Sequence, residues 1–108
     1  GPLVGLICLS CDQQAQGSAF LRRLNRGDQT PGRVSYTQIT TRYDEIVVPH
    51  TNGYLAPGPR TTNVTLQDKC PTVLSEHLLI PTDKVTVQIT LNALGRRGPA
   101  AKGFAPAC

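Results

Sequence analysis

The chain has 108 residues, a formal net charge of +4, four cysteines, two phenylalanines, three tyrosines and neither tryptophan nor methionine. That length holds one small domain or a piece of a larger one, and so few aromatic residues mean that any core is aliphatic. No run approaches the roughly 20 apolar residues of a membrane span. The basic groups (Arg22, Arg23 and Arg26, then Arg96, Arg97 and Lys102) come without aromatic platforms or a groove-reading motif, which argues against a nucleic-acid partner.

The opening residues, GPLVGLICLSC, are apolar but lack a Met and a basic flank, so they do not read as a leader segment. The chain looks as though it starts within a strand, with 1–11 as the loop that follows. Asp12 is placed to cap a helix spanning 12–27, in which Phe20 and Leu24 lie one turn apart and Gly27 stands where a terminating glycine belongs. GDQTPG then has turn chemistry. Val34 to Tyr43 is rich in β-branched and aromatic residues and reads as a strand. At its C-terminal end comes DEIVVP, which carries two adjacent carboxylates, Asp44 and Glu45.

After Pro49 the segment HTNGYLAPGPR is loop, and Thr61 to Asp68 alternates as a second strand. KCPTVLSEHLLIP follows and carries His77. TDKVTVQITLNALG alternates like a strand, yet Thr82 or Asp83 can cap a helix, Gly95 can end one, and its length is helical. We take it as a helix. The tail to Cys108 is rich in Pro and Gly and irregular. Strands alternating with helical segments predict an α/β fold with a parallel sheet of about two strands, in which chemistry collects beyond the carboxyl ends of the strands. Asp44 and His77 each follow such an end.

Cys8 and Cys11 form a lone C-x-x-C without the second pair that a four-thiolate zinc site needs, and no metal or other cofactor is expected. An even count in a short chain fits structural disulfides and an oxidising, extracellular compartment. Four cysteines allow three pairings. The one adopted joins Cys8 to Cys11 and Cys70 to Cys108, the second bridge stapling the tail to the body.

An acid and a histidine on neighbouring loops suggest an orienting carboxylate and a general base. By residue type alone that signal is weak, and Glu45 and His50 compete for the two roles. YTQITTRYDEIVVPHTNGYL, followed by NVTLQDKCPTVLSEHLLI and preceded by CDQQAQGSAFLRRLN, resembles the C-terminal portion of secreted bacterial triacylglycerol lipases. Those are α/β-hydrolases of the class 2 lipase kind, and D-E-I-V-x-P is more distantly similar to the acid loop of fungal lipase B. The resemblance extends from about Leu9 to Leu94. It implies that Asp44 is the triad acid and His77 the base, with Glu45 supporting the loop. Ile46 and Val47 would line the acyl cleft with Phe20 or Leu21, and Cys70 would bridge to a downstream cysteine. It also implies an acylglycerol or other ester as substrate, met at a lipid–water interface.

One departure is plain. No G-x-S-x-G occurs in the 108 residues, so the nucleophile elbow and its oxyanion donors are missing. The expectation is therefore a C-terminal segment of an α/β-hydrolase domain, inactive alone and dependent on the N-terminal part of its own domain. The alternative is a small non-catalytic binding module stapled by disulfides, with a basic face for an anionic partner. Asn63-Val64-Thr65 matches a glycosylation sequon but reads better as strand sequence.

Overall fold

The computed structural model describes residues 6–108. Of the loop expected over 1–11, residues 1–5 lie outside them. The described order is α1 (Leu9–Gln14), α2 (Ala19–Leu24), β1 (Tyr36–Thr40), a 3-10 turn (His50–Gly53), β2 (Thr61–Thr65), α3 (Leu66–Lys69), a second 3-10 turn (Ile80–Thr82) and α4 (Lys84–Leu94).

β1 and β2 pair in parallel, in register from Tyr36↔Thr61 to Thr40↔Thr65, and form a two-stranded sheet. The fold is mixed α/β, with a small parallel sheet and flanking helices. Both strands are shorter than their β-branched composition suggests, for one reason. After Thr40 the chain turns, with the Asp44 N–H donating to the Thr41 carbonyl at 3.2 Å. From there β2 has no partner on that side. Its continuation, expected as strand to Asp68, instead coils into α3, where the Cys70 N–H reaches the Leu66 carbonyl at 2.8 Å.

The single helix expected over 12–27 is two helices. Gly17 sits at φ 77°, a conformation that no helix interior accepts, and Ser18 starts α2 by accepting the Leu21 N–H on its hydroxyl. Cys8, not Asp12, caps the first helix, accepting the Cys11 N–H on its sulfur. Residues 9–11 are thus helical, although the sequence placed them in a loop.

α4 is capped as its ends predict. Asp83 accepts the Val85 N–H at 2.8 Å, and the helix stops at Gly95. Its Val85 and Ile89 pack with Val64 of β2, Leu66, Cys70, Val73 and Ala100 into one aliphatic cluster. The tail, irregular in dihedrals, is firmly tied. Phe104 packs on the cluster, Thr62 donates to the Ala100 carbonyl at 2.7 Å, and Gln88 brackets Ala107 with bonds of 2.9 and 2.8 Å. Cys70–Cys108 and Cys8–Cys11 are the two disulfides. The opposite face of the sheet is covered by residues 49–55, where Tyr54 bonds Thr65 and the Asn63 amide brackets Leu55 with bonds of 3.1 and 2.8 Å. An Asn held on both sides in this way is strand structure, not a free glycan acceptor.

The molecule is a slab of 43 × 34 × 18 Å with a radius of gyration of 15.3 Å. A rounded domain of this length has about 13 Å. Among the described residues, exposed large apolar side chains outnumber the buried ones, including Val87, Leu91 and Leu94 on the outer side of α4.

Candidate functional site

Asp44 and His77 meet where both loops leave the carboxyl ends of the strands. Asp44 follows β1 by four residues and folds its side chain back over its own loop. Its Oδ1 accepts the N–H groups of Ile46 at 2.9 Å and Val47 at 2.7 Å. This local turn is what an Asp at that position favours, and it aims the carboxylate across to the second loop. His77 Nδ1 lies 3.0 Å from each carboxylate oxygen. An ionised carboxylate only accepts, so Nδ1 carries the proton. In the neutral ring Nε2 then holds the free lone pair, and among the described residues it has no hydrogen-bond partner.

The electrostatics follow the geometry. Burial pushes the Asp44 carboxyl up, but the Val47 N–H, the His77 ring and the Ile46 N–H together outweigh it and leave it below the ordinary carboxylate value. The hydrogen bond to Asp44 raises His77. Burial opposes that rise, and the charges of Asp44, Glu45 and Glu76 reinforce it, so the imidazole holds its proton to higher pH than usual. The Asp44 side chain is 11% exposed and that of His77 36%, so the acid is enclosed and the base is reachable.

His77 lines a cleft of about 820 Å³ together with Leu21, Ile46, Val47 and Val48 and with Arg22 and Asn52 at its polar side. Ile46, Val47 and Leu21 line this cleft, and Phe20 does not. Glu45 accepts the His77 backbone N–H at 3.4 Å. His50 makes an edge contact with Tyr54, their ring centroids 6.1 Å apart, and is not paired with either carboxylate. The Cys8–Cys11 bridge borders the same cleft through Cys11.

No protein-family model and no curated protein matches the chain.

Two buried residues that the sequence did not single out hold the loops. The Thr41 hydroxyl donates to the Ser75 carbonyl at 2.7 Å and accepts from Tyr43 N at 3.2 Å. Gln67 Nε2 donates to Thr41 Oγ1 at 2.9 Å and to the Val73 carbonyl at 3.0 Å, and its Oε1 accepts Arg42 N at 2.9 Å. A Gln within an alternating run looks solvent-facing, and only the helical turn at Leu66 brings it inside.

Among the described residues no serine hydroxyl is hydrogen-bonded to His77. Ser75 donates to Asp83 at 2.6 Å, Ser18 donates to the Gln13 carbonyl, and Ser10 contacts Cys8. Among the described residues no cluster of His, Cys, Asp and Glu could hold a metal ion, and no helix is long and apolar enough to cross a membrane. A second cavity of about 360 Å³ at the amino ends of the strands is lined by Arg96, Arg97 and Lys102. The Arg96 guanidinium there is turned onto its own Pro99 carbonyl.

Proposed function

We propose that this chain is the acid-and-histidine segment of a secreted serine ester hydrolase of the α/β-hydrolase kind, acting on acylglycerols or similar esters. The observation that carries the reading is His77 Nδ1 at 3.0 Å from both oxygens of an enclosed Asp44, with the ring on an apolar-walled cleft. An orienting carboxylate holds the imidazole in one tautomer and stabilises the cation that forms when Nε2 takes a proton.

The nucleophile hydroxyl comes from outside these residues. His77 Nε2 accepts its proton as the oxygen attacks the ester carbonyl, and returns that proton to the departing alcohol. The same nitrogen then deprotonates the water that releases the acid from the acyl-enzyme. Leu21, Ile46 and Val47 give the acyl chain an apolar wall.

The exposed apolar surface supports the same reading. α4 is apolar on both its inner and outer sides, the pattern of a helix covered on both. Two disulfides in so short a chain suit an extracellular protein. The rival reading, a basic binding module, leaves the Asp44–His77 pair without a role.

The test is made on the complete product of the reading frame that contains this chain. A fluorophosphonate probe is expected to label one serine outside these residues, and His77→Ala to abolish both labelling and p-nitrophenyl ester hydrolysis. Hydrolysis at the wild-type rate in His77→Ala would sink the proposal.

A further inference from the structure

We propose that Gln67 is the positioning residue of the Asp44–His77 pair, a single amide that holds the start of the acid loop and the start of the histidine loop at one fixed separation. The proposal rests on the reading of that pair as an acid–base device. Gln67 touches neither ring nor carboxylate. It grips the acid loop at Arg42 N and Thr41 Oγ1, and the histidine loop at the Val73 carbonyl.

The grip is extended by Thr41, whose hydroxyl donates to the Ser75 carbonyl, two residues before His77. The carbonyl of Thr41 in turn accepts the Asp44 N–H, so its placement sets where the carboxylate stands. Two side chains whose positions differ by 33 in sequence are thereby located by one buried network.

The amide uses both donors and its acceptor, and Gln67 and Thr41 are buried. Such a network has one satisfied arrangement, because any displacement leaves a polar group unpaired away from water. A Leu of similar volume fills the same space but links nothing. Asn is one methylene shorter and does not span the same three partners. The neighbouring Asp83 anchors the histidine loop separately, through the Ser75 hydroxyl. It does not reach the acid loop; apart from the Asp44–His77 pair itself, the two loops are joined by the Gln67–Thr41 network and by the longer 3.4 Å bond from the His77 N–H to Glu45.

The test follows the His77 imidazole by 1H–15N NMR titration in the complete product of the reading frame that contains this chain, with both disulfides intact. Wild type is expected to show a raised His77 midpoint and a downfield Nδ1–H resonance. The groups acting on that ring are Asp44, Glu45 and Glu76, with Arg22 in the same cleft. In Gln67→Leu the midpoint is expected to fall back toward that of free imidazole and the resonance to disappear. Thr41→Ser, which keeps the hydroxyl, is expected to retain both signals.

A folded Gln67→Leu whose His77 curve superposes on wild type overturns the proposal. If that variant does not fold, Gln67→Glu takes its place, keeping the shape and the acceptor while losing both donors. If neither folds, Gln67 serves the fold as a whole and the positioning role is likewise overturned. A wild-type His77 without elevation defeats the acid–base reading itself, whereas a raised wild-type His77 that Gln67→Leu leaves unchanged defeats only the role of Gln67. No ester is turned over in any arm.

Discussion

The Asp44 carboxylate spans His77 Nδ1 with two contacts of 3.0 Å while its Oδ1 also accepts two backbone N–H groups of its own loop. The acid is thus anchored from behind by backbone and engaged in front by the imidazole. Its charge cannot turn away from the ring without abandoning the loop.

This pairing has a signed pH dependence. Asp44 is lowered from 3.8, so its contribution is present above that value and is lost as pH falls through the folded-state pKa. His77 is raised from 6.5, so its contribution is full below that value and is lost as pH rises through the folded-state pKa. The difference in melting temperature between wild type and Asp44→Asn is therefore expected to be largest between 3.8 and 6.5 and to shrink on either side. Under the proposed function, ester hydrolysis by the complete protein is expected to rise across the same alkaline limb as His77 becomes neutral. Calorimetric scans and rate profiles over one buffer series check both slopes.

Asp44→Asn is expected to leave the loop in place, because the amide oxygen can still accept from Ile46 and Val47. Its NH2 then faces His77 and favours the tautomer with the proton on Nε2, the wrong one for a base. A loss of about 10⁴-fold in kcat is the expected scale for a triad acid. The 15N shifts of the His77 ring report the tautomer directly, and a loss below about tenfold would argue against the role.

The Cys70–Cys108 bridge closes a 38-residue separation, and loop-closure entropy assigns it about 4 kcal/mol. Cys8–Cys11, at a separation of 3, is worth about 2 kcal/mol by the same relation. Cys108→Ser is expected to lower the denaturant midpoint clearly more than Cys11→Ser, since it also frees the tail that carries Phe104 onto the core. Equal shifts in urea melts would contradict this.

Leu66 is fully buried in the aliphatic cluster, whereas Leu78, beside His77, is 77% exposed. Leu66→Ala is expected to cost about 2–5 kcal/mol. Leu78→Ala should stay within about 0.5 kcal/mol. Urea unfolding of the two variants separates a core leucine from a surface one.

Much of this was legible beforehand where the cause is local. Asp83 and Gly95 bound a helix because capping and termination act within one turn. β-branched runs at Val34–Tyr43 and Thr61–Asp68 located both strands, but not their ends. Those ends depend on the partner strand, since β2 stops where β1 turns away. Gly17 lies inside the helix that the sequence predicts over 12–27, although its backbone conformation breaks that helix in two.

The sequence by itself determined which chemistry the chain can bring: an acid, a histidine, their flanking apolar residues and an even set of cysteines. It placed Asp44 and His77 on loops after strands because turn chemistry and β propensity are short-range. Only the tertiary structure decided that these loops converge to 3.0 Å, that Leu21 and not Phe20 faces the cleft, and that Gln67 lies inside. Those facts depend on contacts between residues far apart in the chain, made by parallel pairing, a coil after Leu66 and a few buried hydrogen bonds. No local preference along the sequence encodes them one residue at a time.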